Sequence, residues 1–333
     1  MCVVLGCDFA ISVGIFHFLA CFLRKAAQLK KQDELAARTP IFVGFSAAPY
    51  FMKPYLPRLG TFVLLALLAV ACGKNDEPSP VDTNDNLALG NPSGAVTSTS
   101  SPTNYLLIKP QYAVGYNRDA GKPIWVSWHL DQNELGSAPR QDDFRADTDL
   151  PSGWYQVKTS DYTGFGFDRG HNCPSADRTA TVADNSATFL MTNMMPQAPN
   201  NNQQTWADLE DYCRTLVRAG NELYIVCGSY GRGGTGSMGY QTTIAGGKIT
   251  VPANCWKVIV ILPTGSNDVG RITSSTRVIA INTPNDNSLN AAWSGYRTSV
   301  DAIEAAAGLD LLSALPTGLQ NTLEAKTDSG PTK

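Results

Sequence analysis

Hydrophobic and polar positions divide the chain into three zones. Residues 2–23, CVVLGCDFAISVGIFHFLACFL, are apolar apart from Asp8, Ser12 and His17, and the basic stretch RKAAQLKKQDELAAR follows. Taken alone this is a membrane-spanning pattern with a positive flank. A second apolar run lies inside MKPYLPRLGTFVLLALLAVACGKNDEPSP, from Phe62 to Val70, after a short basic start at Lys53 and Arg58. Beyond residue 103 the pattern changes to short segments with turn residues between them. Residues 105–130 read as two strands joined by an Asn/Asp/Gly turn, and 222–231, 249–263 and 276–284 as β-branched strands. Trp206, Leu209, Cys213 and Leu216 recur at three- and four-residue spacing, which predicts a helix over 204–220 ended by Gly220. Residues 296–316 read as a helix broken at Gly308, with more helix after it. Strands in the middle and helices around them predict an α+β fold with a mostly antiparallel central sheet flanked by helices.

The second apolar run has the layout of a secretory signal peptide. Its end, LLAVAC, resembles a bacterial lipobox, which implies cleavage before Cys72 and lipidation of that cysteine. Residues 52–72 are thus expected to be a lipoprotein signal peptide. Two readings of residues 1–51 stand beside it: an over-called start, or a transmembrane anchor at 2–23. Residues 73–102 are rich in Asp, Asn, Ser, Thr and Pro and are expected to be a flexible linker. The folded domain is placed at 103–326 and a disordered tail at 327–333. The expected address is the cell envelope, periplasmic or surface-exposed, with the membrane reached through Cys72.

Charge narrows the choice of partners. Seven of the 26 basic residues and three of the 29 acidic ones precede Cys72, so the remainder carries a net charge of −7. A polyanion partner must therefore be held by a local arginine cluster and not by the overall field. Four cysteines, Cys2, Cys7, Cys21 and Cys72, lie at or before the lipobox. The other four are Cys173, Cys213, Cys227 and Cys255, an even set that fits two disulfides in an exported domain. Cys227 with Cys255 and Cys173 with Cys213 is one pairing; four buried free thiols is the alternative. Zinc is disfavoured, since there is no CxxC pair and only His129 and His171 lie in the domain.

The chemistry-bearing stretches are FDRGHNCPSADR (167–178) and FLMTNMMPQAPNNNQQTWADLEDYCR (189–214). Together they resemble the DNA/RNA non-specific endonuclease family, the ββα-metal nucleases. The elements that carry the resemblance are Asp168-Arg169-Gly170-His171, then Asn193 to Gln197 as Asn-x-x-Pro-Gln, then Asn202-Gln203-Gln204-Thr205-Trp206 opening a helix with Glu210. DRGH alone is weak; the ordered set is specific and spans most of 103–315. The resemblance implies a ββα-metal active-site motif, a phosphodiester hydrolase, DNA and RNA bound through backbone phosphates, and one Mg²⁺ with Mn²⁺ as a substitute.

The residue types suit the reaction. In-line attack of water on a phosphodiester needs a proton acceptor, charge neutralisation at the phosphoryl oxygens and stabilisation of the leaving oxygen. His171 suits the first task, because neutral imidazole accepts a proton near pH 7. The resemblance implies that Asn202 holds the metal, which keeps most of its waters, and that Glu210 orients metal-bound water without ligating. Asn200 and Asn201 are loop-favouring residues beside Asn202; Asn202 is chosen because it stands four residues before Trp206. Arg169, Arg214 and Arg140 suit phosphate charge. Arg214, one turn after Glu210, reaches the site or pairs with Glu210. Arg140 matches an upstream Arg-x-Asp-x-Phe element, with Arg145 close by. Asp168 is expected to hold its loop, Gly170 to allow a close backbone approach, and His129 to be structural. The leading reading is a Mg²⁺-dependent nuclease of DNA and RNA. The alternatives are an inactive nucleic-acid-binding envelope lipoprotein and a phosphodiesterase for smaller substrates.

Overall fold

A computed structural model describes residues 85–333. The segments at 2–23 and 52–72, Cys72, and the first part of the expected linker lie outside the described residues. Six strands form the main sheet: β1 Tyr105–Ile108, β2 Ala113–Asn117, β3 Lys122–Leu130, β6 Asn221–Tyr230, β11 Asn254–Pro263 and β12 Arg277–Pro284. They lie in the order β1-β2-β3-β6-β11-β12, and every neighbour is antiparallel. Two-stranded pieces surround them: β4 Asp168–His171 with β5 Met194–Gln197, β7 Gly234–Gly236 with β8 Gly239–Gln241, and β9 Thr243–Ile244 with β10 Ile249–Thr250. The segment read as two strands over 105–130 is three, because the chain also breaks between Ile108 and Ala113.

The two-residue period of the long strands decides what covers each face. On β6, Leu223, Ile225 and Cys227 meet Trp206, Leu209, Cys213 and Val217 of the helical segment that ends at Arg218. The alternate residues Tyr224 and Val226 share a second layer with Trp256, Val258, Val260, Val300, Ile303, Leu315 and Leu323. Burial on both faces explains why β6 and β11 read as continuous apolar runs and not as alternating ones. No helix among the described residues is long and apolar enough to cross a membrane. The α+β fold with its antiparallel sheet is as the sequence predicts.

Both expected borders of the domain are corrected. Residues 85–102 are not a free linker: Leu87, Leu89 and Ala95 are buried in the second layer, and Trp125 Nε1 donates to Ser93 Oγ at 2.7 Å. Three well-spaced apolar residues and asparagine-stapled turns suffice where overall composition is polar. Asn91 illustrates this, accepting from the Ala95 amide and donating to its carbonyl. Nor is the tail disordered from 327. The Asp328 carboxylate, 5% exposed, pairs with Arg277 at 2.8 Å and Arg297 at 3.2 Å.

The disulfide expectation gives way to its alternative. Cys173, Cys213, Cys227 and Cys255 are all buried free thiols. Cys255 lies opposite Ser229 and Cys227 opposite Lys257, so Cys227 and Cys255 are offset along their strands. Burial pushes the thiols of Cys173, Cys213 and Cys255 up to about 12, and that of Cys227 higher still. Buried thiols of this kind are inert packing groups.

Candidate active site

The DRGH stretch is β4, and its pairing with β5 sets Asp168 against Gln197, Arg169 against Pro196, Gly170 against Met195 and His171 against Met194. A Cβ on Gly170 would come within 2.6 Å of the Gln197 Cβ, so this close approach requires glycine. The loop after His171 is pinned by Asn193 and not by a disulfide. Asn193 accepts from the Cys173 amide at 3.0 Å and donates to the carbonyls of Cys173 and Thr188, each at 2.8 Å. Asn285 then braces the far end of β5, donating to Pro196 O and accepting from the Ala198 amide. The chain next makes a wide π-helical turn over Asn201–Trp206 before the regular helix Ala207–Arg218. The helical segment therefore starts ahead of the predicted 204, and its regular α-helical part only at Ala207. Single π-turns recur at functional sites because they re-aim side chains within a helix.

These elements enclose a cleft of about 650 Å³. His171, Arg169, Arg140, Asn202, Glu210 and Arg214 all line it. Every site residue named from the sequence within the described range is thus brought to one place.

His171 is 9% exposed and lies between two phenylalanine rings, 5.5 Å from Phe144 and 5.0 Å from Phe189 by centroid. Its Nε2 is buried without a hydrogen-bond partner. Nδ1 has none either among the described residues, and the residue lines the cleft. Burial, with Arg140 and Arg169 adding to it, pushes the imidazole down to about 3. The ring is therefore neutral at pH 7.

Asp168 settles which way Asn202 points. Its Oδ2 accepts from Asn202 Nδ2 at 2.8 Å and from Gln203 Nε2 at 2.8 Å. With the amide nitrogen committed, Asn202 Oδ1 has no partner among the described residues. Asn201, by contrast, is fully buried and donates to Thr283 Oγ1, while Asn200 bonds Asn287. The sequence leaves three neighbouring asparagines to choose among, and only Asn202 faces the cleft.

The arginines differ in how much of their charge is already engaged. Arg169 stacks on Phe144, 4.2 Å from the ring centroid, and no hydrogen bond or ion pair holds it among the described residues. Arg140 donates to Asp142 at 2.7 Å and to Ser175 Oγ at 2.8 Å at the rim. Arg145 turns away to Asp143 and Ser186 O and does not line the cleft. Arg214 is buried, lines the cleft and bonds Asp177 at 2.8 Å and Asp211 at 2.5 Å; of the two alternatives it reaches the site and does not pair with Glu210. Glu210 is instead bonded by Lys257 Nζ at 3.1 Å. Burial raises the Glu210 carboxyl, Lys257 opposes that, and the net direction is up.

Four supporting residues have roles that the sequence alone does not give: Asn193, Asn285, Asp177 and Lys257. Asn193 belongs to the Asn-x-x-Pro-Gln element, and its position three residues before Pro196 is its signal. The other three are distant in sequence from the groups they hold, and no local pattern marks them.

Comparison with known proteins agrees with this geometry. The family model described as DNA/RNA non-specific endonuclease matches residues 89–318. A nuclease of Nostoc sp. is 48% identical over 278 residues, covering 82% of this chain and 98% of that protein. Human mitochondrial endonuclease G is 30% identical over 208 residues, covering 60% of this chain and 67% of that protein. Among solved structures, a chain from a crystal structure of an EndoG/EndoGI complex superposes with a TM-score of 0.56 at 21% identity, covering 69% of this chain and 91% of the other. That likeness carries the fold.

Proposed function

Because this chain belongs to the DNA/RNA non-specific endonuclease family and is a nuclease, we propose that it cuts DNA and RNA in the His171 cleft, with His171 as general base, Arg169, Arg140 and Arg214 on phosphate, and a Mg²⁺ ion at Asn202. The observation that carries this reading is the shared cleft: a neutral imidazole, and a guanidinium and an amide oxygen that no described residue engages in a hydrogen bond, line one cavity.

His171 takes the proton from the attacking water. Its low basicity rises when phosphate brings negative charge beside it, since Arg140 and Arg169 then act on the phosphate as well. Arg169, whose donors no described residue uses, meets the phosphoryl oxygens first. Arg140 reaches them from the rim. Arg214 contributes less net charge because two carboxylates already surround it. Such contacts are to the backbone, which carries no sequence information and does not distinguish one base from another.

The residues fit a hard cation that keeps much of its hydration. Asn202 offers one neutral oxygen, fixed by Asp168. Among the described residues, the clusters of three His, Cys, Asp or Glu side chains that could hold an ion together lie at His129 and at Glu324, not in this cleft. Mg²⁺ binds through few protein oxygens plus water and substrate, and Mn²⁺ is expected to replace it. When bound, the ion supplies charge stabilisation at the phosphoryl and leaving oxygens. Glu210 faces the same space and orders water there.

Supercoiled plasmid and RNA, each incubated with Mg²⁺ or with EDTA, test this. Loss of both substrates only with metal, and little with Asn202→Ala, is the expected result. Cleavage in EDTA at the full rate would sink the metal assignment.

We also propose a lipid anchor at Cys72 and an address in the cell envelope, supported by LLAVAC and the polar stretch after it. Full-length protein is expected to partition with detergent, and Cys72→Ser to stay in the aqueous phase. A Cys72→Ser protein that still partitions would point to the 2–23 segment instead.

A further inference from the structure

Lys257 stands on β11, on the face that packs against the helix bearing Glu210, and its side chain is 1% exposed. Its Nζ donates to Glu210 Oε1 at 3.1 Å and lies 4.4 Å from the centroid of the Trp206 ring and 5.5 Å from that of Trp128. No second hydrogen bond to that ammonium is found among the described residues. Burying a lysine is costly, and an apolar side chain of similar volume would often be no worse for stability. The consequence of having a lysine here therefore lies in what it does to its one partner. Lys257 takes up Oε1 of Glu210 from below, and no described side chain bonds Oε2, on a residue that lines the cleft.

We propose that Lys257 is a positioning residue for the nuclease reaction: it holds Glu210 as a carboxylate, with Oε1 fixed behind the site and Oε2 presented to the cleft. This rests on the reading of Glu210 given above. The surroundings make the service necessary. Burial and Asp177 both favour the neutral carboxyl, whereas Lys257 and Arg214 favour the charged one. Arg214 is divided between Asp177 and Asp211, which leaves Lys257 as the cation in direct contact. The thiols of Cys173, Cys213 and Cys227 also face this pair and are protonated, so they add no charge. Removing the ammonium should leave Glu210 neutral over part of the working pH range and free to turn.

The test compares wild type, Lys257→Met, Lys257→Gln, Glu210→Gln and the double variant K257M/E210Q. Two readings are taken: kcat and KM against pH on plasmid, and titration of the Glu210 side-chain carboxyl carbon by NMR in metal-free protein. That resonance is assigned by its absence in Glu210→Gln. Lys257→Met is expected to lower kcat about 10- to 100-fold with KM little changed. The Glu210 midpoint and the acid limb of kcat should both move up, by about one pH unit or more. Lys257→Gln, which keeps a donor without the charge, should show the same upward movement. If Lys257→Met does not fold, the double variant removes both charges, and activity equal to that of Glu210→Gln alone supports the coupling. A further tenfold loss in the double variant would count against it. Unmoved midpoints in Lys257→Met and Lys257→Gln, with Glu210→Gln impaired, would reduce Lys257 to packing. Wild-type cleavage by Glu210→Gln would instead overturn the role of Glu210 itself.

Discussion

His171 and His129 sit in similar strands and end in different chemistry. Both are on β-strands, both are largely buried, and each has an Nε2 that lacks a hydrogen-bond partner. Around His171 are Phe144, Phe189, Arg140 and Arg169, and no carboxylate among the described residues pairs with the ring. Around His129 are the Tyr224 ring at 4.7 Å and the Glu222 carboxylate, 3.5 Å from Nε2, with Arg271 bonding Glu222 in turn. An imidazole boxed by aromatics and cations stays neutral and can accept a proton. One beside a carboxylate that is itself neutralised has a structural partner. The neighbours, not the residue type, separate the two imidazoles.

The sharpest way to break this contrast is to remove each ring. His171→Ala is expected to lower kcat by about 10²- to 10⁴-fold. His129→Ala should leave kcat close to wild type and cost about 1 kcal/mol of stability, read by urea unfolding. Equal losses of activity in both would erase the distinction. Next in size is the hold of Asp168 on the Asn202 amide. Asp168→Ala should free Asn202 to rotate and lower activity about 10- to 100-fold, with weaker Mn²⁺ binding seen by electron paramagnetic resonance. The arginines give a smaller test: Arg140→Ala should cost about tenfold, whereas Arg145→Ala, whose ion pair is exposed and faces away, should change activity by less than about twofold.

The last prediction concerns pH and stability. His171 binds fewer protons in the folded protein than in the unfolded chain between about 3 and 6.5. Folding is therefore progressively penalised as pH falls through that window, and the penalty is absent above it. The difference in unfolding free energy between His171→Ala and wild type should move in favour of the variant on acidification from pH 7 to 4. The expected shift is on the order of 2–4 kcal/mol. A difference that stays constant with pH would mean the ring is hydrated and ionises freely.

Much of this molecule was legible from residue patterns. The buried strands β6 and β11 announce themselves as β-branched runs, and Gly308 does end a helix, in the left-handed conformation at φ 68°. The cleft was legible because five of its six site residues are carried by short motifs whose chemistry is local, DRGH and NQxxW with its helix, and the sixth, Arg140, by RQDDF upstream. What failed to show was long-range. Residues 85–102 look like solvent-loving linker, yet Leu87, Leu89 and Ala95 find a complementary face on the sheet. The partners of Arg214 and Glu210, Asp177 and Lys257, come from other elements and carry no spacing signal. The cysteine count suggested disulfides, but counting cannot see that Cys227 and Cys255 are out of register.

The most direct test of the account uses one gel. Purified protein with His171→Ala, Asn202→Ala and His129→Ala alongside wild type is incubated with supercoiled plasmid and with RNA in Mg²⁺. The account predicts that wild type and His129→Ala degrade both substrates while His171→Ala and Asn202→Ala leave them largely intact. Full degradation by His171→Ala would contradict it, because the cleft would then have lost its base without losing its reaction.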